Sequence, residues 1–168
     1  MTATAIDNTL NSYDQVGNGK PSLMRGQHKQ IISSGGATRQ LLASESGSTC
    51  LFDSAAGVVY TLPTPVIGMT FNFQTTVTIT SNAAKVITKT VASEFIGGGI
   101  ISANATVASS GDFFTADGAT HVAISENGTT TGGVIGDNFT LTAVSTTLWL
   151  ISGLNSGSGT NATPFATS

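Results

Sequence analysis

Along residues 71–80 the side chains alternate. Phe71, Phe73, Thr75, Val77 and Ile79 hold the odd positions, while Asn72, Gln74, Thr76, Thr78 and Thr80 hold the even ones. A period of two places one face of a strand in a core and the other in water. Residues 139–143 repeat the pattern, and 121–125 carry Val122 and Ile124 inward. Residues 49–53 and 58–62 read as short strands. The second is stopped by Pro63 and Pro65, which cannot donate ladder hydrogen bonds. Residues 81–84 read as a turn, after which 85–91 is expected to return antiparallel to 71–80. Gly97, Gly98 and Gly99 interrupt the pattern, and Phe113 and Phe114 follow another turn. Leu148, Trp149, Leu150 and Ile151 are continuously apolar, the mark of a central strand covered on both faces. No segment keeps a helical period beyond two turns.

Short strands spaced by turn residues predict an all-β fold, an antiparallel sandwich or jelly-roll-like domain. The body is expected over residues 41–153, with Phe71, Phe73, Val77, Ile79, Val122, Ile124, Leu141, Leu148 and Leu150 in its core. Residues 154–168 form a Gly-, Ser- and Thr-rich tail, in which Phe165 is placed to dock on a neighbour. Residues 1–40 show no sustained period and are broken at 17–21 and 33–36 by Gly, Pro and Ser. They predict an extended N-terminal arm, ordered on binding.

Composition sharpens this picture. Only 9% of the 168 residues are charged, against about 25% in an ordinary soluble domain, and 20 are glycine. Strong helix formers are therefore scarce and turn formers abundant. The net charge of −3 is unevenly placed. Residues 1–40 carry Lys20, Arg25, Lys29 and Arg39 against Asp7 and Asp14, a net +2; the remaining chain carries Lys85 and Lys89 against seven acids, a net −5. That asymmetry gives the arm a different partner from the body. Lys20, Arg25, Lys29 and Arg39 would meet acidic patches on a neighbour, with Leu23, Met24, Ile31 and Ile32 as apolar anchors.

Candidate chemistry is sparse. Cys50 is the single cysteine, which rules out an intramolecular disulfide and suits a small buried hydrophobe. The two histidines, His28 and His121, are far apart in sequence, and no ligand spacing points to a metal. His121 suits a sheet edge or a cap. No G-x-S-x-G elbow is present. Asp112, Asp117, Glu126 and Asp137 each lie beside turn residues, where carboxylates bond their own backbone. Gly97 to Gly99 lack the Lys-Ser/Thr of a phosphate loop. No catalytic residue, metal or cofactor is expected. The body is acidic, so nucleic acid is not an expected partner, and no apolar run approaches a membrane span. The N-terminus shows no secretory signal, and synthesis in a host cytoplasm is expected.

Several phrases resemble the small head proteins of tailed phages, notably cyanophages. They are CLFDSAAGVVYTLPTP at 50–65, GMTFNF at 68–73, TSNAAKVIT at 80–88, GDFF at 111–114 and HVAISENGTTTGG at 121–133. The resemblance spans about 45–153. It implies a capsid decoration, or cement, protein on the outer surface of the virion. Such a protein clamps major capsid subunits, is often a homotrimer, and brings no catalytic residues. A receptor- or glycan-binding module of a fibre or spike is the competing expectation. Such a module needs exposed aromatic platforms, and the chain offers one Trp and two Tyr.

Overall fold

The computed structural model describes residues 29–81, 83–107 and 110–168. Its strands are β1 (Ile31–Ile32), β2 (Arg39–Gln40), β3 (Thr49–Phe52), β4 (Val59–Thr61), β5 (Thr70–Thr75) and β6 (Ala84–Ile87). They continue with β7 (Phe95–Asn104), β8 (Gly111–Asp117), β9 (Ala123–Glu126), β10 (Asn138–Ala143), β11 (Leu148–Gly157) and β12 (Phe165–Ala166). Two sheets result, ordered β1-β3-β5-β10-β11-β7-β8 and β12-β9-β6-β4-β2. The fold is the all-β sandwich expected, but the pairing is mixed rather than purely antiparallel.

The mixture has a simple origin. From β1 to β6 the chain alternates between the sheets, and each strand lies parallel to the one two before it. The first half is thus a flattened coil of three turns. Stacking brings inward residues into ladders: Ile32, Cys50 and Phe73 in one sheet, Arg39, Tyr60 and Val86 in the other. The expected return of 85–91 onto 71–80 does not occur, because β5 and β6 lie in opposite sheets. The second half closes the coil with antiparallel pairs, β10 on β5 and β9 on β6. β11 then pairs antiparallel with β10 and parallel with β7.

The ladders meet between the sheets in one aromatic cluster. Phe52, Tyr60, Phe73 and Phe139 pack with centroid separations of 5.1 to 6.4 Å, Phe73 stacking on Phe139. The Tyr60 hydroxyl donates to Leu51 O at 2.8 Å, so its one polar atom is satisfied. Phe71 packs tilted against Trp149 further along the sheet. Gly98 has φ +105°, and a Cβ there would stand 2.4 Å from Ile151 O; only glycine lets β7 approach β11 this closely.

Four further expectations need correction. The arm does not extend to residue 40. Ile31–Ile32 is an edge strand on β3, Ile32 is buried, and Arg39 lies in β2 paired with Glu45. Strands of two residues are too short to show a period, so this first turn of the coil reads as irregular. Residues 1–28, and with them Lys20, Leu23, Met24 and Arg25, lie outside the described residues. The tail is likewise partly strand. β11 runs to Gly157, and Phe165 docks on its own chain beside Ile124 and His121 rather than on a neighbour. β11 is central but covered on one face only: Trp149 and Ile151 point inward, while Leu150 is exposed and Leu148 half-buried. Val77, past the end of β5, is 38% exposed and leaves the core.

Truncating the fully buried Phe73 to Ala is expected to cost about 3–5 kcal/mol in urea unfolding, and Leu150→Ala less than about 1 kcal/mol. Equal losses would mean the faces of the sheet are misassigned. Deleting residues 1–36 removes β1 and exposes Cys50 and Tyr60 to water. It should lower the melting temperature clearly, whereas deleting 1–28 spares every contact described above.

Candidate functional site

The sequence offered chemistry at a few carboxylates, one thiol and one histidine, and the structure gives most of the carboxylates and the histidine a local partner. Asp117 ends β8. Its Oδ1 accepts the N–H groups of Ala119 and Thr120, and its Oδ2 accepts the Thr120 hydroxyl at 2.6 Å. The hydroxyl first, then the two amides, hold this carboxyl well below the usual carboxylate range. His121 Nδ1 lies 3.1 Å from the Asp117 N–H and 3.0 Å from Asp117 Oδ1, so the imidazole completes the same turn. This is the capping role expected of it. Asp112 takes an N–H from Asn161 at 3.0 Å. Asp137 accepts the N–H groups of Gly133 and Val134 at 2.9 and 3.0 Å. Among the described residues no three His, Cys, Asp or Glu side chains group closely enough to hold one metal ion.

Cys50 is fully buried in the ladder between Ile32 and Phe73. Burial first, and then the charge of Glu45, push its thiol up to about 12. Glu126 departs from the turn role expected of it. It ends β9 with its side chain between the sheets and is 1% exposed. The alternation of Val122 and Ile124, carried two residues further, points to that inward position.

The surface tells more than these polar groups. The outer face of the seven-stranded sheet is polar over β5 and β10, with Asn72, Gln74, Thr140 and Thr142. It changes character at β11. Leu150 faces Gly97 and Leu154 faces Ile101 across the β11–β7 pair, and Ile101 faces Phe113 across the β7–β8 pair. Leu150, Leu154, Ile101 and Phe113 are 41%, 48%, 54% and 65% exposed. The Phe113 ring lies over Gly99, where a Cβ would stand 2.5 Å from Cζ. The glycines that break the hydrophobic pattern thus let an aromatic ring lie flat on the sheet. The patch reaches β8, the last strand of the sheet.

Of the residues assigned to a neighbour-binding arm, the four that are described, Lys29, Ile31, Ile32 and Arg39, do not form one surface. Ile32 belongs to the core, and Arg39 is engaged with Glu45. Lys29 and Ile31 are exposed, Ile31 on the outer face of β1 at the opposite edge of the same sheet. Among the described residues the one Trp and the one Tyr that a glycan platform would use, Trp149 and Tyr60, are both fully buried. An open cleft of about 310 Å³ lies between Lys85, Ser125, Asn127, Thr163 and Ala166, where Lys85 Nζ donates to Ser168 O at 3.2 Å. No known protein family, curated protein or solved structure matches the chain.

The buried, raised thiol yields one test. Cys50 in the folded protein should resist a disulfide reagent at pH 8 and react fully in urea. Fast labelling of the native protein would show that the ladder opens.

Proposed function

We propose that the chain is a structural virion protein, without catalytic activity, that decorates a phage capsid and stabilises it by binding adjoining major capsid subunits. The observation that carries this reading is the uncovered apolar strip Leu150, Leu154, Ile101 and Phe113. Contiguous apolar surface of this kind marks protein contact. Burying it contributes roughly 25 cal/mol per Å², and a symmetric lattice repeats the contact many times. The virion assignment itself rests on the phrases that resemble phage head proteins.

The placement of the strip suits bridging. Ile31 and Lys29, where the N-terminal segment enters, stand at the β1 edge, and Phe113 stands at the β8 edge. Six inter-strand spacings of about 4.8 Å separate those edges by roughly 30 Å. One copy can therefore touch two neighbours, with Lys20, Leu23, Met24 and Arg25 extending the first contact and the strip forming the second. A homotrimer is the expected assembly, since three copies multiply each contact.

Co-sedimentation with capsids of the phage that encodes the chain is the direct test. Wild-type protein should bind and raise the melting temperature of the capsid. Phe113→Ser combined with Leu154→Ser should weaken binding at least tenfold and leave urea unfolding little changed. Lys20→Ala with Arg25→Ala should weaken it modestly and chiefly at low salt, because exposed ion pairs contribute only about 0–1 kcal/mol each. Absence of capsid binding by the wild type would defeat the reading. Full binding by the double serine variant would remove the strip from it.

A further inference from the structure

A pair of polar side chains joins the two sheets through the core. Glu126 comes from β9 of the five-stranded sheet and Asn155 from β11 of the seven-stranded sheet; each is 1% exposed. Asn155 Nδ2 donates to Glu126 Oε1 at 3.0 Å. The other oxygen of each side chain, Glu126 Oε2 and Asn155 Oδ1, is buried with no partner among the described residues. A carboxylate here would leave two acceptors facing no donor, a state that costs free energy on both sides.

The charges nearby give no relief. Asp137, 4% exposed in the turn before β10, is a second carboxyl, and its Oδ2 is already engaged by Gly133 and Val134. Lys85 on β6 turns to the chain end at Ser168, and Asp112 on β8 is held by Asn161. The 127–133 loop over the pair carries no charge. The cleft beside Lys85 borders Glu126, but on the Gly132 side there is no space for a counter-group. Gly132 has φ +91°, and a Cβ there would lie 2.3 Å from Asn155 Nδ2 and 2.8 Å from Glu126 Oε1.

We infer that Glu126 is a neutral carboxylic acid in the folded protein and that its proton, given by Oε2–H to Asn155 Oδ1, closes a cyclic acid–amide pair that ties the two sheets. One proton supplies the missing donor, satisfies both orphaned oxygens and removes the buried charge. Burial first, and then the charge of Asp137, push the Glu126 carboxyl up to about 8 in support of this.

The tie is also a latch. The loop above it holds the C-terminal tail, through the Ser158 N–H to Thr129 O and the Ala162 N–H to Thr130 O. Losing the proton returns a charge and two unpaired acceptors to the interior, which loosens the loop and the tail. The sign of the pH effect follows from linkage. In the unfolded chain Glu126 ionises near its ordinary value of 4.5, while in the folded chain it keeps its proton to about 8. Its contribution is therefore fully present below pH 4.5, falls as pH rises between the two values, and levels off above 8.

The test compares wild type with Glu126→Gln, whose amide reproduces the neutral acid with a donor toward Asn155 Oδ1. Between pH 5 and 8 the folding equilibrium constant of wild type should fall, relative to that of the variant, by up to about tenfold per pH unit. A wild-type-to-variant ratio constant with pH would overturn the inference. Infrared spectroscopy of wild type alone provides a second readout, should the variant fail to fold. A protonated carboxyl band should persist at pH 7 and vanish on raising pH past 8, and its absence at pH 7 would overturn the inference. Added calcium or sodium should leave wild-type stability at pH 8 unchanged. Stabilisation by either ion that Glu126→Gln abolishes would show that a cation, not a proton, fills the gap.

Discussion

Everything in this fold depends on inward side chains from two sheets meeting at one place. Phe52, Tyr60, Phe73 and Phe139 come from four strands, one of them in the opposite sheet, and their rings contact one another directly. Strands of two to six residues, such as β1 to β6, cannot hold themselves in register by backbone bonds alone. The aromatic cluster fixes the register instead, because a slip of one residue would turn every buried ring into water. The coil of the first half follows from this. A chain that crosses between sheets at each turn stacks Ile32, Cys50 and Phe73 in one sheet and Tyr60 and Val86 in the other.

Polar groups are fitted around that constraint rather than into it. The Asp117 turn, the Asp137 turn and the Arg39–Glu45 pair all lie at sheet edges or ends, where backbone N–H groups would otherwise lack partners. The Glu126–Asn155 pair is different in kind. It spans the sandwich outside the four-ring cluster, and there a directional bond joins the sheets. Its dependence on one proton makes this end of the molecule the more responsive one, with the loop and the tail resting on it.

The outer surface divides the same way. Over β5 and β10 the seven-stranded sheet is finished with Asn, Gln and Thr, which keep its face wet. Over β11, β7 and β8 it is finished with Leu, Ile and Phe around glycines, which leave apolar area uncovered. A chain with so few charges gains little specificity from ion pairs. Contact by shape and apolar burial is the means its composition leaves open, and the strip is where that means is concentrated.

The amino-acid pattern by itself determined the class of fold and most of the core. The alternation at 71–80 and 139–143 identified Phe71, Phe73 and Leu141 as inward, because a period of two is a local property of a strand. It also determined the inert character of Cys50 and the capping role of His121. It did not determine which strands pair. Sheet order joins residues as distant as Phe95 and Leu148, and nothing local distinguishes a parallel partner from an antiparallel one. For the same reason the first turn of the coil reads as a loose arm, since Ile32 is a core residue only once Cys50 and Phe73 lie beside it. Leu150 reads as buried because an apolar run does not reveal that one of its faces has no layer above it. The partnership of Glu126 with Asn155 was decided by tertiary structure alone: only the closing of two sheets brings an acid and an amide together away from water, where a single proton settles how both are paired.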